Sequence, residues 1–162
     1  MEIDIIVNDE YQGQVSPEYL EKVALATINH VHEVANFQLG IVITGDEEMQ
    51  ELNHRYRGVD ATTDVLSFAM QDESSEGSED DEAIAQFPLM ANGIEQLGEV
   101  VISLPQASKQ AEVCGHRLSK EITILVIHGV LHLLGFDHET DDEAEIMEKY
   151  EAEILASMES AS

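Results

Sequence analysis

The most apolar stretch of the chain, residues 119–133, carries two histidines, and that combination constrains the fold more than any other feature. It contains Ile122, Ile124, Leu125, Val126, Ile127, Val130, Leu131 and Leu133 around His128 and His132. The β-branched run at 122–127 would suit a strand. The total length favours a helix instead, apolar nearly all round and therefore the buried centre of the molecule. On such a helix His128 and His132, four apart, lie on one face one turn apart, within reach of a single ion. Burying an unpaired imidazole there would be costly, which favours a partner over a bland core role. Gly135 stops the helix, and His138 follows three residues later, placed to swing back toward the pair. Three neutral imidazoles leave one tetrahedral position open, the pattern of a catalytic zinc site. Imidazole also accepts nickel, copper and iron, so the spacing does not select the metal.

Helices and strands are legible on either side of this segment. Residues 3–7 (IDIIV) read as a first strand. Ser16 and Pro17 mark a helix start, and 17–35 has helical apolar spacing. Residues 38–44 form a second strand, and Asp46 is placed to cap a helix to about Tyr56. Residues 63–68 and 96–103 read as further strands. A helix over 105–114 ends at Gly115, where a C-cap glycine is expected. Thr140 to Glu143 has capping-box spacing ahead of a final amphipathic helix. The expected fold is α+β: one domain spanning 1–162, a mixed four-stranded sheet with helices packed on it, and a buried central helix carrying two metal-binding histidines.

Charge bears on partners. The chain has 34 acids and 7 bases, a formal net charge of −27. Residues 72–83 (DESSEGSEDDEA) hold seven acids and no base, and read as a flexible surface loop with little apolar area to offset ordering entropy. Five bases, Arg55, Arg57, Lys109, Arg117 and Lys120, cluster in two short stretches between acidic blocks. A locally basic face on an acidic body is therefore feasible; solvated surface charge is the plain alternative. Lys109, Arg117 and Lys120 are candidates to track an RNA backbone. No apolar run is long enough for a bilayer. The acidic N-terminus lacks a signal-peptide pattern, and the single cysteine, Cys114, excludes an internal disulfide, so a cytoplasmic protein is expected.

Other residues admit two readings each. Arg57, at a helix end before Gly58, suits either a bidentate phosphate contact or a favourable interaction with the helix dipole. Asp137 can support a ligand or activate water, or cap the following turn. Cys114 reads as an inert, partly buried thiol, and His116 is assigned no role. Gly129 stands where the zinc-protease motif H-E-x-x-H has its glutamate general base, which argues against peptide hydrolysis. Gly129 implies close approach of substrate or another backbone, or tight packing.

The runs HGVLHLLGFDH at 128–138, YRGVDATTDVLSF at 56–68 and LGEVVIS at 97–103 together resemble the YbeY family of bacterial endoribonucleases over about residues 3–155. Glu99 stands where aspartate is usual, Phe136 where tyrosine is common, and the acidic insert is longer than usual. The resemblance implies a metal-dependent, single-strand-specific ribonuclease acting in 16S rRNA 3′-end maturation and ribosome quality control. It implies zinc on His128, His132 and His138, a required arginine falling on Arg57, and a ribosomal-protein contact. The alternatives are a metal-dependent peptide or amide hydrolase, and a non-enzymatic ribosome-assembly factor with a structural metal.

Overall fold

The computed structural model describes residues 2–31, 37–69, 95–136 and 140–161. Within them, β1 (Glu2–Val7) leads through a short 3₁₀ turn to α1 (Pro17–Val31), then β2 (Phe37–Thr44), α2 (Asp46–Arg57) and β3 (Val65–Ala69). After these come β4 (Glu95–Ser103), α3 (Leu104–Cys114), α4 (Leu118–Leu133) and α5 (Asp141–Ala161). The acidic segment 72–83 lies outside the described residues, as do Asp137 and His138.

The sheet order is β1-β2-β4-β3. β1 and β4 run parallel to β2, and β3 is antiparallel to β4 on the edge, so the sheet is mixed as expected. Parallel neighbours need a crossover, which α1 supplies between β1 and β2. Alternation along each strand divides the apolar residues between two faces. Ile41, Ile43, Val100 and Ile102 join α1, α3, α4 and α5 in the main core. Val42, Val101, Leu66 and Phe68 belong to a second, smaller cluster with Met49 and Leu52 of α2. Helix α2 thus covers the opposite face of the sheet from α4.

Local signals act where the sequence places them. Tyr19 N–H donates to Ser16 Oγ (3.2 Å), the cap that starts α1. Glu143 N–H donates to Thr140 Oγ1 (3.1 Å), starting α5. Gly58 and Gly115 both adopt left-handed φ (74° and 73°) and close α2 and α3. Segment 118–133 is one helix, buried on most sides.

Two expectations are corrected. Asp46 does not cap α2; Gly45 occupies that position, with no side-chain cap. The Asp46 carboxylate instead accepts from Ser103 Oγ (2.8 Å), Thr62 Oγ1 (3.0 Å) and Gln106 Nε2 (3.3 Å). Burial pushes this carboxyl up, but the hydrogen bonds from Ser103, Gln106 and Thr62 and the charge of Lys109 together outweigh it, and its pKa is lowered. Cys114, expected to be partly buried, is exposed, because the last turn of α3 presents it outward.

Candidate metal centre

Helix α4 presents His128 and His132 on one side, both half-buried. Their rings meet edge to face, centroids 4.6 Å apart at 71°. The two Nε2 atoms converge to 3.2 Å. Two nitrogens held about 2.0–2.1 Å from one tetrahedral ion lie about 3.3 Å apart, so this pair already has the spacing of two ligands on a shared ion.

A carboxylate sets the tautomer. His128 Nδ1 lies 2.8 Å from Glu151 Oε2 on α5. With the Nδ1–H donated to this carboxylate, the Nε2 lone pair points toward His132, the donor arrangement that metal-binding histidines adopt. Sequence reasoning missed Glu151. Its signal was present: it lies four residues after Met147 and three before Ile154, both buried. Helical spacing therefore puts this acid on the core-facing stripe of α5, where an acid needs a partner.

The glycine between the histidines has a packing reason. A Cβ at Gly129 would lie 2.6 Å from Val100 Cγ1 and 3.2 Å from Ser67 Oγ. Ser67 Oγ–H also donates to the Gly129 carbonyl (3.2 Å). Side chains of β3 and β4, rather than substrate, fill this space, and it would not admit a glutamate.

After Leu133 the chain leaves the helix through Leu134 and Gly135, the latter at φ 103°, as the helix-stopping role requires. Phe136 then stacks edge to face on Tyr150 of α5, centroids 5.3 Å apart, one residue before Glu151.

The basic candidates belong to other elements or to the start of α4. Arg57 is exposed at the end of α2, its Nη1 donating to Asn53 Oδ1 (3.4 Å). Asn53 is buried and anchored by its own bond to the Ala61 carbonyl (2.8 Å). Arg117 is the N-cap residue of α4, and Lys120 lies in the same first turn. At 1.5 Å per residue, Arg117 is about 16 Å along the helix from His128. Both line a cavity of about 800 Å³ with His116, Tyr19 and Leu155, and Lys109 lies exposed on α3. The structure brings His128 and His132 together, and it places Arg117 and Lys120 at the opposite end of the same helix.

Comparison with known proteins decides the family. The profile of the family described as Endoribonuclease YbeY matches residues 5–159. The chain belongs to the YbeY family. It is 48% identical over 138 residues to Endoribonuclease YbeY of Dehalococcoides mccartyi, covering 85% of this chain and 78% of that one. It is 31% identical over 161 residues to Endoribonuclease YbeY of Levilactobacillus brevis, covering 94% and 96%. The solution structure of TM1509 from Thermotoga maritima shares the fold, with a TM-score of 0.55 and 24% identity over 98% of this chain and 93% of that one. Among the described residues, no helix is long and apolar enough to cross a membrane. The YbeY resemblance drawn from the three motifs is therefore borne out, and the mixed α+β fold with it.

Proposed function

We propose that the chain is a metal-dependent endoribonuclease that cuts single-stranded RNA during 16S rRNA 3′-end maturation and ribosome quality control in the cytoplasm. His128, His132 and His138 hold the metal, zinc by preference, with Asp137 beside the third ligand. The observation that supports this most is the convergence of His128 and His132 Nε2, with Glu151 behind His128, in a chain of the YbeY family. When bound, the ion supplies Lewis acidity toward a phosphoryl oxygen and toward water.

The protein's own residues supply the rest. Glu151 holds the His128 ring with Nε2 facing the ion position. Arg57 offers a planar fork of five donors, of which the bond to Asn53 engages one. The anchored Asn53 steadies that guanidinium, leaving it suited to bidentate contact with a phosphate as negative charge grows. Lys109, Arg117 and Lys120 are proposed to serve the RNA backbone beyond the cleavage point, and a ribosomal protein to deliver the substrate. The missing glutamate at Gly129, and the lack of room for one, weigh against a peptidase.

The test is cleavage of an unstructured RNA by zinc-loaded protein beside Arg57→Ala and His132→Ala variants, with zinc content measured for each. Cleavage is expected only from the unaltered chain, with zinc retained by Arg57→Ala and diminished in His132→Ala. Equal cleavage by all three would overturn the reading. A chelator should abolish cleavage and leave the fold intact; melting on chelation would favour a structural metal instead. A 2′,3′-cyclic phosphate product would identify the RNA 2′-hydroxyl as nucleophile.

A further inference from the structure

We propose that Cys114, His116 and Glu121 form a second transition-metal site, separate from the histidine pair, at the junction of α3 and α4. Their donor atoms, one thiol sulfur, one imidazole nitrogen and one carboxylate oxygen, all lie within 4.8 Å of one another. This proposal stands on its own residues and does not depend on the ribonuclease reading.

Two helix ends build the site. Cys114 is the last residue of α3, and Gly115 turns the chain in the left-handed conformation. His116 N–H donates to the Ala111 carbonyl (3.0 Å), tying the turn back onto α3. Glu121 N–H donates to the Arg117 carbonyl (3.1 Å), in the first turn of α4. The three side chains therefore project from backbone fixed on both sides. Along α4, Glu121 is about 10 Å from His128, at 1.5 Å per residue.

The burial of Glu121 is the feature that asks for a cation. Its residue is only 4% exposed, and His116 Nε2 lies 2.6 Å from its Oε1. A buried carboxylate is costly without a positive partner. A proton shared with His116 meets that need, and a divalent ion meets it with a larger charge. Around tetrahedral zinc, nitrogen–oxygen and sulfur–nitrogen edges are about 3.3–3.6 Å. The His116–Glu121 contact must therefore open by somewhat under about 1 Å, and the exposed Cys114 side chain must rotate inward. Thiolate, carboxylate and neutral imidazole together balance a divalent charge, and mixed S, N and O ligands suit zinc or cobalt. Binding expels the Cys114 thiol proton and any proton held between His116 and Glu121. Arg117 and Lys120, close in sequence, oppose a bare cation, so retention depends on both anionic ligands.

Cobalt(II) titration of the reduced, metal-free protein tests this directly. Cys114 is the only cysteine, and the proposed histidine centre contains no sulfur. A near-ultraviolet thiolate-to-cobalt charge-transfer band therefore reports this site alone. The band is expected to persist in His132→Ala, where the weakened histidine centre lets it saturate near one cobalt per chain; in the unaltered chain, whose histidine centre also takes cobalt, it should saturate by two. It should vanish in Cys114→Ser, whose exposed position spares the fold, and be lost in Glu121→Gln and His116→Asn variants shown to be folded by circular dichroism. No band with excess cobalt would overturn the proposal. So would a band that survives both Glu121→Gln and His116→Asn, since that marks an exposed thiol binding metal by itself.

Discussion

Removing the carboxylate of Glu151 should weaken metal binding without unfolding the protein. Its Oε2 is 2.8 Å from His128 Nδ1, so Glu151→Ala removes a charge-assisted hydrogen bond to a proposed ligand. Loss of such a partner typically costs 10–100-fold in metal affinity, ~1.4–2.7 kcal/mol. The His128 and Glu151 side chains are 28% and 24% exposed, so water replaces part of what is lost. The lower end, about tenfold, is expected. Glu151→Gln keeps an acceptor without the charge and should fall between alanine and the unaltered chain. Zinc competition against a chromophoric chelator measures the affinity directly, with no reliance on RNA cleavage. The melting temperature of the metal-free variant is the control, because a partly exposed pair contributes only ~1 kcal/mol or less to stability. Unchanged zinc affinity in Glu151→Ala would refute the argument that this carboxylate sets the imidazole for an ion.

Three further outcomes can be checked. Gly129→Ala gains about 1 kcal/mol of helix propensity but loses about 1–3 kcal/mol to overpacking against Val100, so it should destabilise in urea unfolding; in a Val100→Ala background the sign should reverse. Asp46→Ala should cost about 2–3 kcal/mol at neutral pH, because three donors lose their charged acceptor. The folded pKa of Asp46 is depressed, so its charge-dependent stability is present above the unfolded value, about 3.9, and fades as pH falls through the folded one; Asp46→Asn should therefore approach the unaltered protein in acid, and a gap that widens there would contradict the assignment. With four bases proposed to meet RNA, the log affinity against log salt slope for single-stranded RNA should be about −3 or shallower, and one steeper than about −4 would show that the basic surface is misplaced.

The helices and strands were legible because their signals are local. Ser16 with Pro17, Thr140 and the left-handed glycines at 58 and 115 act within a few residues of themselves. Residues 119–133 are helical, within the sixteen-residue α4, because the length of the segment outweighs the β-branched run inside it. What remained hidden depends on distant partners. Nothing local reveals that β4 sits between β2 and β3. Asp46 reads as a cap from its neighbours, yet its partners at 62, 103 and 106 become adjacent only once the sheet forms. Glu151 is 23 positions from His128, across the turn between two helices. The two histidines declared themselves by spacing, while the partner that orients one of them did not. His116, given no role from sequence, gains a buried carboxylate partner by the same kind of fold-dependent approach.

Gly129 lies between the two histidines and rests on Val100 and Ser67 of the sheet. The helix is therefore seated on its foundation at the turn that carries the imidazoles, rather than suspended there from its ends. Disturbance in the surrounding loops has to pass through the sheet before it can change the height of those rings. The placement of the two imidazoles thus depends on Val100 and Ser67, sheet residues that contact the helix between them.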